Sequence, residues 1–491
     1  MKNKFAKIMC LALIAIVMPC CILFAGCSTG TVAVKDITYT RTEGLSDIYT
    51  ITYTDGKTSE FRVKNGADGA KGEDGKDAQN VSITEIFEKY KETHADATYE
   101  EFLKEYLSFE NNEKAKAINE CLLSSFILYS EFKVSEVMQT GFYTTQTVSS
   151  VSRSGGSGVL YKIDDDYAYI ITNYHVVYSS KANADNNGNL AYRVVGYLYG
   201  SEGANDVITD ETGNKVLKDG YPQYDYGKYG IEFEYVGGSV EKDLAVLRTS
   251  AANLKAINSQ VKPIAFADEY TAGETAIAIG NIEGMGISIT EGVVSVDSEY
   301  ITLSIDQERR YRSMRIDTAI YHGSSGGGLF NEKGQLIGIT NSGDEEDENI
   351  NYAIPLSIVK NTVENIMYYY SDTDEATVGA YKVLLGVTVQ SDESKYVYDK
   401  STGKGKVVES IGVTKINEDS IASKMSLAEG DILVAFYING IEYALDRNYE
   451  LGDLLLAVRE GDEIYFKVGR GTNAVNSATY TVAKADLLEL E

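Results

Sequence analysis

Three side chains that could together hydrolyse a peptide bond lie in short strand-like or glycine-rich runs of this sequence. Hydrolysis at neutral pH needs a nucleophile, a base, a group that orients the base, and donors for the developing oxyanion. The chain has only three histidines, and His175 follows the strand-like run Tyr169–Tyr174. Asp243 begins an apolar run, and Ser325 lies within the glycine-rich turn 323–327. The sequence therefore offers a candidate for each role.

Two of these assignments have alternatives. His322 lies three residues before Ser325 and is a rival base, although a residue at that spacing generally points elsewhere along the turn. Asp243 is either a solvated turn residue or a partly buried carboxylate that accepts a hydrogen bond from an imidazole. The glycine-rich run 156–158 ahead of His175, and the order His, Asp, Ser, favour the catalytic interpretation.

Five motifs carry a resemblance to a known family: GSGVL at 156–160, TNYHVV at 172–177, DLAVL at 243–247, DTAIYHGSSGGGLFN at 317–331 and NYAIP at 351–355. They resemble the HtrA/Deg (DegP-like) serine proteases of the trypsin-like clan. The resemblance implies two packed six-stranded β-barrels with the active site in the cleft between them. It also implies that His175 is the general base, Asp243 its orienting carboxylate and Ser325 the nucleophile.

The same resemblance extends to the groups around the nucleophile. It implies that the backbone N–H groups of Gly323, Ser324 and Ser325 face the oxyanion, in a turn that usually needs a glycine with positive φ. Ile320 matches the position that lines the primary specificity pocket, and it implies preference for small or medium aliphatic side chains. Ser324 and Gly328 depart from the family, which has Asn and Pro at these positions.

The N-terminus predicts export. A short basic segment, an apolar run of 18 residues from Ile8 to Ala25, and then Ala25-Gly26-Cys27 indicate a secretion signal over residues 1–26. The last three residues resemble a bacterial lipobox, which implies cleavage before Cys27, acylation of its thiol and a lipid anchor in the bacterial cell membrane. The alternative is an uncleaved signal anchor, because 18 apolar residues can just span a bilayer. Both interpretations predict an extracytoplasmic protein.

Composition further limits the fold class and the possible partners and cofactors of this protein. The 37 tyrosines and the absence of tryptophan suit a mainly β protein, and 491 residues predict several domains. A formal net charge of -28 would repel phosphate backbones, so no nucleic-acid partner is expected. No nucleotide loop or metal-ligand cluster occurs in the sequence, so no cofactor or metal is expected. Cys121 would be the only cysteine of the mature chain, which excludes an intramolecular disulfide.

The chain divides into segments of different pattern. Residues 27–80 combine a β-hairpin pattern with a Gly-rich G-x-y stretch, for which a solvated linker is preferred over a collagen helix. Residues 81–112 open with capping boxes and predict a helical spacer. Short β-rich runs over 113–372 suit the trypsin-like domain, which ends in a predicted helix from about Leu356 to Tyr370. The stretch from about Ser179 to Gly230 is either a decorated surface loop or a regulatory or substrate-guiding one.

Residues 373–491 resemble the PDZ domain that follows the protease domain in this family. The resemblance rests on the runs 384–389, 412–414, 420–422 and 427–433. It implies that Leu385, Gly386 and Val387 form a loop whose N–H groups capture a peptide's terminal carboxylate. A PDZ groove also offers a strand edge to which the peptide adds.

The sequence thus predicts an extracytoplasmic, ATP-independent serine endopeptidase that degrades misfolded or unfolded proteins and binds peptide termini through its PDZ domain. The resemblance also implies a homotrimer. The alternative is a weak or inactive chaperone or peptide-binding scaffold, disabled through Ser324 and Gly328, against which the intact triad argues. A third interpretation, a structural surface protein, is suggested by residues 31–80 but explains nothing that follows them.

Overall fold

The fold was obtained as a computed structural model. It describes residues 34–43, 46–64, 83–92, 94–95, 98, 113–139, 145–183, 188–203, 205–303, 305–343, 349–372, 378–401 and 403–490. The chain divides into two compact units, residues 1–102 and 103–491. The predicted signal segment, Cys27, the G-x-y stretch and the second half of the predicted helical spacer lie outside the described residues. No helix in the described ranges is both long and apolar enough to cross a membrane.

In its described residues, the first unit contains a three-stranded antiparallel sheet and a helix. The predicted hairpin forms as β2 (Ser46–Tyr53) and β3 (Thr58–Lys64), and β1 (Val34–Glu43) pairs with the other edge of β2. Gly56 has a φ of +83° in the hairpin turn, where its N–H donates to the Tyr53 carbonyl at 3.0 Å. Helix α1 (Ile83–Lys91) follows.

The second unit begins with helix α2 (residues 113–122), which leads into a closed six-stranded barrel. Its strands are β4 (Ser125–Gln139), β5 (Thr145–Ile163), β6 (Tyr167–Thr172), β7 (Arg193–Leu198), β12 (Ile231–Ser239) and β13 (Leu244–Ser250). Alternate residues of β6 face opposite sides: Ile170 packs inside the barrel, whereas Ile171 joins the cluster shared with the second barrel. Burial on both faces explains the continuous apolar run of this strand.

A second barrel follows, with strands β14 (Ala265–Phe266), β15 (Thr275–Asn281), β16 (Ile287–Leu303), β17 (Asp306–Ile316), β18 (Gly328–Phe330), β19 (Gln335–Gly343) and β20 (Asn351–Pro355). The ladders β19-β18-β15-β16-β17-β20 close through the pairing of β19 with β20, and β14 adds outside in parallel. The predicted pair of six-stranded barrels is therefore confirmed.

Helices also pack against the barrels after α2. Helix α3 (Tyr174–Val177) follows β6, and α4 (Ala251–Ile257) follows β13. Helix α5 (Leu356–Asp372) forms where the sequence predicts a helix, because Val359, Val363 and Ile366 recur at helical spacing and are fully buried against the barrels.

The stretch from about Ser179 to Gly230 is not a simple surface loop, because it supplies the barrel strand β7. The remainder forms two small two-stranded sheets, in which β8 (Asp206–Val207) pairs with β11 (Tyr224–Asp225) and β9 (Leu217–Lys218) with β10 (Tyr221–Pro222). Buried Glu131 of β4 accepts hydrogen bonds from the hydroxyls of Tyr192 at 2.5 Å and Tyr226 at 2.7 Å. These contacts fasten the insertion to the barrel.

The C-terminal domain has its own sheet and core. Its elements are β21 (Ala380–Val383), β22 (Val387–Asp399), β23 (Lys404–Ile416), α6 (Ile421–Lys424), β24 (Ile432–Ile438), β25 (Ile441–Ala444), α7 (Glu450–Leu454), β26 (Glu463–Arg470), β27 (Asn473–Asn476), β28 (Tyr480–Thr481) and β29 (Leu487–Leu490). Strand β22 lies at the end of the order β22-β23-β24-β26-β27, so within the described residues its outer edge is unpaired. Leu451 and Leu455, of α7 and its C-cap, are buried in the core of this domain.

Candidate active site

His175 is held on α3 at the junction of the two barrels. Its main-chain N–H donates to Asp243 Oδ1 at 2.9 Å, and its ring Nδ1 lies 2.8 Å from Asp243 Oδ2. Because a carboxylate only accepts, Nδ1 carries the proton and the other ring nitrogen is left as the acceptor. The His175 side chain is 31% exposed, whereas the Asp243 side chain is completely buried. The pair therefore joins a partly exposed imidazole to a buried, fixed carboxylate.

Asp243 occupies an unusual backbone position. It ends the turn between β12 and β13 with a φ of +50°, the left-handed region that costs a residue with a side chain about 1–2 kcal/mol. Its N–H donates to the Val240 carbonyl at 3.2 Å, and its carbonyl accepts from Asn173 Nδ2 at 2.9 Å. These bonds hold the residue in a conformation that points the carboxylate at His175.

A further residue, Asn341, contacts the same carboxylate, and the sequence reasoning missed it. Asn341 lies on β19, is buried, and donates from Nδ2 to Asp243 Oδ2 at 2.8 Å. Three N–H groups therefore satisfy Asp243, which a buried carboxylate requires to remain charged. No sequence signal marks Asn341, because its partner is 98 residues away.

The Asp243 carboxylate also changes the basicity of His175. Burial disfavours the charged imidazolium, but the charge of Asp243 and its hydrogen bond outweigh burial, so the pKa of His175 lies above its usual value. The imidazole is therefore a stronger base than an isolated one.

Ser325 lies between β17 and β18 of the second barrel. Its Oγ donates to the Asn341 carbonyl at 2.8 Å, and its own carbonyl accepts from the Ser157 N–H at 2.8 Å. Among the described residues no hydrogen bond joins Ser325 Oγ to His175. Such bonds are often long or absent before substrate binds, and a change of serine rotamer redirects the hydroxyl.

In the turn before Ser325, Gly323 has the backbone geometry that an oxyanion site needs, whereas Ser324 does not. Gly323 has a φ of +90°, and a Cβ there would lie 2.2 Å from the Asn281 carbonyl oxygen, so only glycine fits. The prediction for Ser324 is wrong, because its N–H donates to the Tyr321 carbonyl at 3.0 Å and is not available to an oxyanion. No main-chain acceptor in the described part of the chain takes the N–H of Gly323 or Ser325.

Two residues behind this turn were also missed. Ser157 Oγ donates to the Gly323 carbonyl at 2.8 Å and accepts from the Asn281 N–H at 2.8 Å. The hydroxyl thus links β5 of the first barrel to β15 and the turn of the second. In the sequence Ser157 stands out only as part of Gly156-Ser157-Gly158. The close approach depends on Gly280 and Gly326, because a Cβ at these positions would lie 3.1 Å from Ser157 Oγ and 2.3 Å from the Ser157 carbonyl oxygen, respectively.

The other predicted residues lie as follows. Ile320 is 7% exposed and packs in the core of the second barrel with Met314 and Ile316, so only its edge can reach a specificity pocket. His322 has an exposed side chain, and its carbonyl accepts from the Glu283 N–H at 2.6 Å. The imidazole that meets Asp243 is that of His175.

Leu385 and Gly386 lie in the loop between β21 and β22, and Val387 begins β22. The carbonyl of buried Leu385 accepts from the Ala422 N–H at 2.9 Å, and the carbonyl of Gly386 accepts from the Asn417 N–H at 2.9 Å. Gly386 has a φ of +69°, and a Cβ there would lie 2.4 Å from Ser420 Cβ. The loop is therefore fixed through its carbonyl groups.

Comparisons with known proteins agree with this geometry. Residues 156–339 match the family of the trypsin-like peptidase domain. The serine protease Do-like HtrA of Lactococcus lactis subsp. lactis (strain IL1403) is 30% identical over 291 residues, which cover 57% of this chain and 60% of that protein. A serine protease HtrA-like protein of Staphylococcus aureus (strain bovine RF122 / ET3-1) is 26% identical over 294 residues, or 57% of this chain and 31% of that protein.

Among solved structures, the HtrA-type protease AlgW with decapeptide matches 75% of this chain and 98% of that chain, with 21% identity and a TM-score of 0.42. The chain covers less than two thirds of the length of the Lactococcus lactis and Staphylococcus aureus relatives. Residues 156–339 thus match a trypsin-like peptidase domain, and the chain is similar in sequence to HtrA-type serine proteases.

Proposed function

We propose that this chain is an HtrA-type serine endopeptidase that degrades misfolded or unfolded polypeptides outside the cytoplasm. One observation supports it most: Asn341 contacts both sides of the site, since its Nδ2 donates to Asp243 Oδ2 at 2.8 Å and its carbonyl accepts from Ser325 Oγ at 2.8 Å. In this proposal His175 takes the proton of Ser325 Oγ, which attacks the scissile carbonyl. His175 then returns the proton to the leaving amine, while Asp243 stabilises the imidazolium.

The N–H groups of Gly323 and Ser325 would receive the oxyanion. Donors fixed in advance stabilise the transition state without reorganisation, and one such donor contributes about 10²–10³-fold to kcat. Supporting this role, Ser157 and Asn281 fix the turn from behind through the Gly323 carbonyl. Ile320 would form the floor of an apolar specificity pocket.

We further propose that the C-terminal domain is a PDZ domain that binds the C-termini of substrate peptides. The unpaired edge of β22 suits an added peptide strand, and the Leu385–Val387 loop at its start suits a carboxylate. Because the two loop carbonyls are held by Ala422 and Asn417, the loop N–H groups are directed away from them. The motif at Cys27 supports a lipid anchor on the outer side of a bacterial cell membrane, and the family resemblance supports a homotrimer.

A fluorophosphonate probe tests the catalytic proposal together with casein cleavage. We expect the full-length chain to be labelled and to cleave casein, and Ser325→Ala to lose both. Ser401→Ala, an exposed serine in the β22–β23 turn, is the matched control and should behave like the unmodified protein. A folded chain that is neither labelled nor active, with or without PDZ-binding peptides, would instead support the chaperone or peptide-binding scaffold.

A further inference from the structure

Strand β12, which leads to Asp243, forms an isolated main-chain bridge with the start of the C-terminal region. Val378, between α5 and β21, pairs in parallel with Gly237 of β12. The Val378 N–H donates to the Val236 carbonyl at 3.2 Å, and its carbonyl accepts from the Gly238 N–H at 3.2 Å. Val378 is buried at this position. The pairing therefore fixes β12 five to seven residues before the catalytic carboxylate.

A second contact reaches the turn itself. Glu241, two residues before Asp243, lies 3.3 Å from Nζ of Lys382 on β21. The same carboxylate lies 3.1 Å from Lys242 Nζ and 3.7 Å from Arg309 Nη1. Of these three basic residues, Lys382 is the one that belongs to the C-terminal domain. The turn is thus held from the C-terminal side as well as from the barrels.

The backbone of Asp243 makes this support relevant to catalysis. A left-handed conformation at a residue with a side chain persists only where surrounding contacts over-determine it. Asn173 and Asn341 fix Asp243 from within the barrels, and the Tyr311 hydroxyl donates to the Val240 carbonyl at 3.1 Å. Val378 and Lys382 add further contacts, to strand β12 and to the turn that precedes Asp243.

We propose that Val378 and Lys382 are positioning residues for the catalytic aspartate, so that docking of the segment Val378–Lys382 on β12 and its turn sets the geometry of the Asp243–His175 pair. This inference rests on the proposed serine-endopeptidase function. It assigns the start of the C-terminal domain a role in turnover that is separate from peptide capture in the groove.

Gly237→Ala displaces the segment without changing any residue of the site. A Cβ at Gly237 would lie 2.3 Å from the Val378 carbonyl oxygen and 2.8 Å from Ile366 Cγ2, so the segment must move. With a short internally quenched peptide substrate and the full-length chain, we expect kcat to fall by at least about tenfold while KM is retained, because small misplacements of catalytic groups cost up to about 10²-fold. Gly452→Ala is the matched control, since a Cβ there meets nothing within 4 Å.

Lys382 provides a second test that does not crowd the core. We expect Lys382→Met to lower kcat by about two- to fivefold, the range of a partly exposed ion pair, and Lys382→Arg to restore it. Melting temperatures of all variants separate positioning from unfolding, and if Gly237→Ala fails to fold, the Lys382 pair decides alone. Unchanged kcat in folded variants, a change confined to KM, or no recovery with Lys382→Arg would overturn the inference. An inactive wild-type chain would overturn the proposed function first.

Discussion

A buried ion pair joins the second barrel to the C-terminal domain and gives the sharpest stability prediction. The guanidinium of Arg312 on β17 contacts the carboxylate of Asp453 on α7, and their side chains are only 5% and 10% exposed. Ser357 Oγ also donates to Asp453 Oδ2 at 2.6 Å, and the Arg312 guanidinium lies 4.2 Å from the centre of the Tyr449 ring. Within the described residues Nε and Nη1 of Arg312 have no hydrogen-bond partner.

Asp453→Leu would leave this buried guanidinium without its counter-charge. Removing one member of a buried pair costs about 3–5 kcal/mol of unfolding free energy. For a single domain of about 150–250 residues each kcal/mol shifts Tm by about 2–4 °C, so the midpoint of the domain transition that breaks this contact falls by roughly 6–20 °C. Replacing both members, as Arg312→Met with Asp453→Leu, removes the charges together and should return the unfolding free energy to within about 1 kcal/mol of the wild type.

Thermal unfolding of the full-length chain, followed by circular dichroism, measures these values. Lys404→Met is the matched control, because Lys404 and Glu269 bridge the same two domains with side chains 55% and 63% exposed. An exposed pair contributes little, so its Tm should equal that of the wild type. If Asp453→Leu and Lys404→Met lower Tm equally, or if the double variant is as unstable as Asp453→Leu, burial does not determine the strength of this contact.

Four further outcomes are expected. Because the pKa of His175 is raised and the base must be neutral to act, kcat/KM should decrease as the pH is lowered. It should reach half of its plateau value at a pH above about 6.5, the usual pKa of histidine. Asp243→Asn removes the charge that raises this pKa, so the acid limb of the pH profile should move to lower pH while kcat falls by about 10⁴-fold; an unmoved limb would contradict the assignment. Asn341→Ala deletes a donor to a buried carboxylate and should lower the unfolding free energy by about 1.5–3 kcal/mol in urea titrations, whereas no loss would show that Asp243 does not need it. Glu131→Gln should weaken the attachment of residues 205–227, seen as faster amide hydrogen exchange there than in the wild type, because Gln replaces a carboxylate that accepts from Tyr226 with a neutral amide.

Much of the fold could be predicted because its signals are local. Alternating apolar residues and glycine punctuation indicate short strands, and the helical spacing of Val359, Val363 and Ile366 indicates α5. The order and motifs of His175, Asp243 and Ser325 singled them out, and the structure then brings His175 and Asp243 into hydrogen-bond contact.

The rest depends on contacts between distant parts of the chain. Asn341 and Ser157 carry no local sign of their partners, which lie on other strands. Ser324 was misjudged because the motif does not reveal that its N–H closes a turn onto Tyr321. The strand β7 was hidden inside a Tyr- and Gly-rich stretch, since its apolar residues resemble those of the surrounding insertion. Such features are set by tertiary pairing rather than by local preference.

The buried cysteine bears on how the folded domain responds to oxidants. Cys121 of α2 is 5% exposed, its thiol donates to the Gly334 carbonyl at 3.4 Å, and burial raises its pKa to about 12. The thiolate is the form that peroxides and disulfides attack, so this sulfur is almost entirely protonated and shielded at neutral pH. In the part of the chain that the structure describes it is also the only cysteine, and it is free. The barrels should therefore keep the same stability in reducing and in oxidising surroundings.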